Sequence, residues 1–200
     1  MSTRAKKTAG VIGGSGYTGG ELIRLLINHP EVSIDFVYST TRPGNYLTDT
    51  YNDLIGQTDL QFTDEINPDV DVLFLCLGHG LSGTFLQENP MNDNTKIIDL
   101  SNEFRLQKDQ HYLEKSYVYG LPEYQKQTIE SAQAVANPGC FATAIQLALL
   151  PLAKEGLLQN DVQVHAITGS TGAGVKPSAT SHFSWRNNNV SWYKPFTHQH

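Results

Sequence analysis

Cys140 stands directly after Pro138-Gly139 and just before the apolar run Ala144-Ile145-Gln146-Leu147-Ala148-Leu149-Leu150. Pro-Gly marks a turn and the apolar run a buried helix, which puts the thiol at a helix N-terminus. Unpaired backbone N–H groups and the helix dipole favour negative charge there. A thiol so placed ionises more readily, and the thiolate is the nucleophile. A small buried cysteine is the other reading of this position. The second chemical feature is Gly13-Gly14-Ser15-Gly16-Tyr17-Thr18-Gly19-Gly20, in which Gly14, Gly16 and Gly19 match G-x-G-x-x-G. Between a strand and a helix, such a turn lets the backbone approach a pyrophosphate resting on the helix N-terminus. No Gly-Lys-Ser/Thr follows it, which argues against a P-loop.

These residues need a scaffold, and the hydrophobic pattern supplies one. Lys7-Thr8-Ala9-Gly10-Val11-Ile12 reads as a first strand. Thr18 to Asn28 reads as a helix with Leu22, Ile23, Leu25 and Leu26 on one side, stopping near Pro30. Further strands are expected over residues 32–38, 70–77, 95–100 and 132–136. The run Val70 to Leu77 is nearly all apolar, as in a parallel strand covered on both faces. Cys76 falls within it and is expected in the core. Strands alternating with helices imply βαβ units. The fold expected is α/β: a Rossmann-type doubly wound parallel sheet over residues 1–140, the dinucleotide-binding domain. Residues 141–200 then begin a second domain, with an alternating strand over Val162–Thr168. About sixty residues are marginal for a core of their own, so the chain is expected to be a piece of a longer protein. Residues 41–68 and 101–131 are expected to be loop-rich.

Composition narrows the function. The 39% hydrophobic and 17% charged content suits an ordinary globular protein, and the net charge of −6 argues against a nucleic-acid partner. No apolar run is long enough to span a bilayer, and no signal-peptide core follows the basic N-terminus. Two cysteines are too few for a disulfide framework, which fits a reducing, cytoplasmic setting. The second strand ends at Tyr38-Ser39-Thr40-Thr41-Arg42, where an NAD-preferring site would carry an acid. Hydroxyls and an arginine suit a 2′-phosphate instead, so NADPH is the cofactor expected, with Ser39 and Arg42 at its ribose. Gly13, Gly14, Ser15, Gly16, Tyr17, Thr18 and Gly19 would hold its pyrophosphate. Gly78 and His79, after the strand ending near Leu77, are expected to line the same site. Arg105 is a candidate partner for a substrate carboxylate, against a plain surface ion pair. Ser170 and Gly172, in Ser170-Thr171-Gly172-Ala173-Gly174, are candidates for an anion nest, against a plain glycine-rich connection. The His198/His200 pair lacks a suitably spaced third ligand, and no metal is expected.

In order along the chain stand Gly13 to Leu22, Asp99-Leu100-Ser101-Asn102-Glu103-Phe104-Arg105-Leu106, Tyr119-Gly120-Leu121-Pro122-Glu123, Asn137-Pro138-Gly139-Cys140, Gly169 to Gly174 and His198-Gln199-His200. This ordered set resembles the N-acetyl-γ-glutamyl-phosphate reductase family, relatives of aspartate-semialdehyde dehydrogenase. The resemblance implies that Cys140 is the nucleophile and His198 the acid/base. It implies an NADPH-dependent acyl-phosphate reductase of arginine biosynthesis. The Cys140 thiolate would expel inorganic phosphate, and hydride from NADPH would reduce the resulting thioester to a semialdehyde. It implies that residues 141–200 begin an α+β substrate and dimerisation domain and that the full-length protein is a homo-oligomer. The chain departs from the family pattern in having Phe141-Ala142-Thr143 after the cysteine and Glu103 before Phe104-Arg105. The competing readings are β-aspartyl-phosphate reduction by the same chemistry and a non-catalytic dinucleotide-binding fragment.

Overall fold

The computed structural model describes residues 5–175 and 182–190, apart from the side chains of Trp185 and Arg186. Its elements in chain order are β1 (Lys7–Ile12), α1 (Tyr17–Ile27), β2 (Val32–Tyr38), β3 (Phe62–Thr63), β4 (Val72–Leu75), α2 (Ser82–Glu88), β5 (Lys96–Asp99), β6 (His111–Tyr112), β7 (Lys115–Tyr119), α3 (Pro122–Ser131), β8 (Ala134–Ala136), α4 (Cys140–Lys154) and α5 (Phe183–Arg186). The strands form one sheet in the order β3-β2-β1-β4-β5-β8-β7-β6. All neighbours are parallel except the β6–β7 hairpin. From β1 the chain winds outward to β2 and then returns to β4 on the other side. The β1–β4 junction is therefore the point where such sheets open a crevice at their carboxyl edge.

The period-2 alternation of strand residues divides the core in two. On one face Ala9, Val11 and Val37 pack with Ile23 and Leu26 of α1. On the other, Ile12, Phe36, Leu73, Leu75 and Ile97 pack with Leu86 of α2 and with Phe104 and Tyr117. Phe104 and Tyr117 are stacked with ring centroids 4.1 Å apart. Helices on both faces explain why β4 is apolar throughout.

The expected parallel sheet is present. Cys76 is half-buried against the α1-side core, and burial pushes its thiol up to about 12, with Asp99 adding to the shift. Four expectations need correction. The apolar helix after Cys140, α4, is not buried: Ala142 is its one buried residue, and Leu147 and Leu152 are exposed. Leu25 does not join the buried stripe of α1 but is 72% exposed, because it lies some 200° around the helix from Ile23. Residues 162–168 form no strand. Alternation alone cannot make one, since a strand needs a neighbouring strand for its backbone groups, and among the described residues no strand pairs with this segment. Residues 41–68 are loop-rich as expected, but residues 101–131 hold more order than composition implied. Residues 41–68 contain two 3₁₀ turns, Leu47–Asp49 and Asn52–Leu54, and the short β3, whereas residues 101–131 contain the β6–β7 hairpin and α3. Among the described residues no helix is long and apolar enough to cross a membrane.

Candidate active site

Parallel strands send their carboxyl ends to the same edge. The glycine-rich turn after β1, Ser39 and Arg42 after β2, Gly78 and His79 after β4, Arg105 beyond β5 and Cys140 after β8 therefore share one rim of the sheet. From β1 to β8 is three strand spacings, about 14 Å.

The turn between β1 and α1 is built for backbone contact. Gly13 has φ +74°, and a Cβ there would meet the Cys76 carbonyl at 2.5 Å. A Cβ on Gly19 would meet the Gly13 carbonyl at 2.6 Å and the Gly14 Cα at 2.7 Å. Both positions exclude any larger residue. Gly16 is the N-cap residue of α1 and donates to the Gly13 carbonyl at 3.1 Å. Among the described residues no protein acceptor meets the N–H groups of Ser15, Tyr17 or Thr18. These first-turn donors, with no acidic residue in the turn, make a receptor for an anionic group. Ser39 is buried; its hydroxyl donates to Ser15 Oγ at 3.1 Å and lies 3.3 Å from Thr41 Oγ1. Arg42 is exposed beside it. The set fits a dinucleotide with an extra ribose phosphate.

Cys140 is exposed and is the first residue of α4, with Gly139 as the extended N-cap residue. Thr143 anchors this start, its N–H and hydroxyl both donating to the Gly139 carbonyl at 2.9 and 3.0 Å. The preceding loop is tied to the end of β5. The Asn137 N–H donates to the Asp99 carbonyl at 2.8 Å. Arg105 is half-buried, and its Nε donates to the Asn137 carbonyl at 2.8 Å while Nη2 donates to the Leu100 carbonyl at 2.9 Å. Burial lowers the Arg105 pKa, and Asp99 most of all opposes that shift. The guanidinium thus ties the nucleophile loop, through Nε, to the end of β5, through Nη2, a use that its sequence position does not reveal.

Beneath the rim lies a carboxylate cluster, Asp99 and Glu103, whose motif carries the family resemblance without giving either acid a role. Asp99 is fully buried and accepts the Ser82 hydroxyl at 2.6 Å and the Ser101 hydroxyl at 2.7 Å. Burial raises its pKa, the serine hydrogen bonds lower it, and the Glu103 charge raises it again. Glu103 accepts the N–H groups of Ser82 and Gly83 at 2.7 and 3.1 Å, capping the start of α2. The signal available in the sequence was an acid at the end of a buried strand followed by serine and a second acid, in Asp99 to Glu103.

The remaining expected site residues are less gathered. Gly78 and His79 are exposed in the loop before α2. Ser170 and Gly172 lie in an exposed 3₁₀ turn, Ser170–Ala173. Among the described residues no hydrogen bond joins that turn to the Cys140 loop. His198 lies outside the described residues.

Residues 8–132 match the model of the semialdehyde dehydrogenase NAD-binding domain, and residues 140–200 that of the semialdehyde dehydrogenase dimerisation domain. The chain is 64% identical over 191 residues to the N-acetyl-gamma-glutamyl-phosphate reductase of Flavobacterium johnsoniae, covering 96% of this chain and 59% of that one. It is 57% identical over 192 residues to the enzyme of the same name from Christiangramia forsetii, with the same coverage of 96% and 59%. The chain thus spans about three-fifths of the length of these relatives. In fold it is similar to an aspartate semialdehyde dehydrogenase with NADP from Candida albicans, with a TM-score of 0.55 and 20% identity over 76% of this chain and 48% of that one. The same holds for an aspartate semialdehyde dehydrogenase II from Vibrio cholerae, with a TM-score of 0.54 and 15% identity over 76% of this chain and 43% of that one. With its glycine-rich turn and its cysteine on one rim of a doubly wound sheet, the chain belongs to the semialdehyde dehydrogenase family.

Proposed function

We propose that this chain is the nucleotide-binding and nucleophile-bearing part of an NADPH-dependent reductase of N-acetyl-γ-glutamyl phosphate, acting in arginine biosynthesis. The observation that carries the reading is the exposed Cys140 thiol heading α4 on the same rim as the glycine-rich turn. The name shared by relatives 57% and 64% identical supports the substrate. Residues 1–140 form the dinucleotide-binding domain in this proposal, and residues 141–200 open the substrate and dimerisation domain of a homo-oligomer.

The pyrophosphate of NADPH rests on Gly13, Gly14, Ser15, Gly16, Tyr17, Thr18 and Gly19. Ser39 and Arg42 take its 2′-phosphate, and Gly78 and His79 border its nicotinamide half. When bound, the cofactor supplies hydride for the acyl carbon. Arg105 keeps the Pro-Gly-Cys loop in place through Nε and Nη2, and its Nη1 faces the substrate carboxylate. The Cys140 thiolate attacks the acyl-phosphate carbon; a C–S bond forms, the C–O bond to phosphate breaks, and inorganic phosphate leaves. First-turn N–H groups of α4 polarise the acyl oxygen. Ser170 and Gly172 receive the departing phosphate. His198 takes the proton that the Cys140 thiol loses, and the C–S bond breaks as the reduced carbon leaves as the semialdehyde, restoring the thiolate. The two free cysteines fit a reducing cytoplasm.

The test is Cys140→Ser in the full-length protein, assayed oxidatively with phosphate on N-acetylglutamate semialdehyde and on aspartate semialdehyde. Turnover should fall by at least about 10³-fold, as for removal of a covalent nucleophile, with NADPH binding retained. An active serine variant refutes the nucleophile. Equal or better turnover of aspartate semialdehyde by the unaltered enzyme refutes the substrate.

A further inference from the structure

The glycine-rich turn has two sides. Its N–H groups face the proposed anion, so its carbonyls must be kept from turning toward the same place. A peptide flip there would set a partial negative charge against phosphate. Glycine lowers the barrier to such flips because it lacks a Cβ. Something must therefore hold the carbonyls back.

Tyr51, from the segment joining β2 to β3, lies beneath the turn. Its hydroxyl is 2.7 Å from the Gly14 carbonyl and 2.9 Å from the Gly16 carbonyl. These are the first two glycines of the G-x-G-x-x-G pattern. The ring is buried in the α1-side core with Ile23, Leu26 and Leu54. It fits so closely under α1 that a Cβ on Gly20 would lie 2.7 Å from its ring carbons. The Arg24 guanidinium sits 5.1 Å from the ring centroid, and Asp53 holds that guanidinium with bonds of 2.6 and 3.0 Å. Burial pushes the phenol up to about 12, Arg24 opposing, so the hydroxyl keeps its proton and remains a donor at any working pH.

We propose that Tyr51 is a positioning residue for dinucleotide binding, its hydroxyl pinning the Gly14 and Gly16 carbonyls so that the turn presents N–H groups to the pyrophosphate. This rests on the NADPH reading above. One hydroxyl proton is shared between two carbonyls, so the phenol draws both backward at once. Phenylalanine would fill the same space and leave the Gly14 carbonyl without this donor, while the Gly16 carbonyl keeps the Gly20 N–H at 2.9 Å. Neither the glycine motif nor the charge pattern marks this residue, because it lies outside the βα unit that it supports.

The test compares two ligands in the full-length protein. NADPH spans the turn, whereas adenosine 2′-phosphate carries the 2′-phosphate for Ser39 and Arg42 but no pyrophosphate. Tyr51→Phe should raise the Kd of NADPH, followed by its fluorescence, about tenfold, equivalent to about 1.4 kcal/mol. The Kd of adenosine 2′-phosphate, by calorimetry, should change less than about twofold, since no pyrophosphate contact is lost. Gly20→Ala, whose methyl displaces the ring, should act in the same direction and serves if Tyr51→Phe does not fold. An unchanged NADPH affinity overturns the inference, and so does equal weakening of both ligands, which would mean general damage. Failure of the unaltered protein to bind NADPH overturns the dinucleotide reading itself, and this inference with it.

Discussion

Arg105→Met separates a brace from a surface charge. The substitution keeps the stem's apolar packing and removes two donors, those 2.8 Å from the Asn137 carbonyl and 2.9 Å from the Leu100 carbonyl. A hydrogen bond to a charged group contributes about 1.5–3 kcal/mol, so the gross loss is about 3–6 kcal/mol. Part of this returns, because a half-buried guanidinium no longer has to be desolvated and water reaches the freed carbonyls. The net effect is about 2 kcal/mol. At 2–4 °C per kcal/mol for a domain of this size, Tm should fall by about 4–8 °C. Where the lost interactions also hold Cys140 in line, kcat/KM should fall about 30-fold. The assay is thermal unfolding by circular dichroism beside steady-state turnover, both on the full-length enzyme. If Tm stays within about 1 °C and kcat/KM within about threefold, less than the loss of one such bond, the brace is refuted. A drop in Tm with unaltered kinetics would show that the brace does not act on the nucleophile loop.

The remaining predictions concern the buried acid and the ribose site. Asp99 holds its proton to higher pH in the folded chain than its ordinary value of 3.8. The folded state therefore binds more protons than the unfolded one above that pH, and this group's contribution to stability falls as pH rises through the folded value. Asp99→Asn should gain stability relative to the unaltered protein as pH rises from about 4 through that window; urea unfolding at several pH values checks this, and a pH-independent difference would contradict it. Arg42→Gln should raise KM for NADPH about 10- to 100-fold, the loss of one charged contact to phosphate, and leave NADH nearly unaffected. Equal losses with both coenzymes would remove Arg42 from the 2′-phosphate site.

Local chemistry was readable from the chain alone. Strand-turn-helix punctuation placed the glycine-rich turn, because Gly13 and Gly19 answer to contacts only a few residues away or to the adjoining strand. Pro138-Gly139 placed Cys140 at the head of α4, since a turn followed by an apolar run leaves the thiol few other positions. Alternating strands and helices determined the parallel sheet, and with it the shared rim. What depended on distant pairing was decided by the tertiary structure. Tyr51 meets the glycine turn across 37 and 35 residues, and Arg105 meets Asn137 across 32. Ser82 meets Asp99 across 17. No local period encodes such contacts, which arise only when the sheet sets its loops side by side. The same reason undid the strand expected at Val162–Thr168: alternation states which face a residue would take, but only a neighbouring strand can satisfy the backbone that must form it.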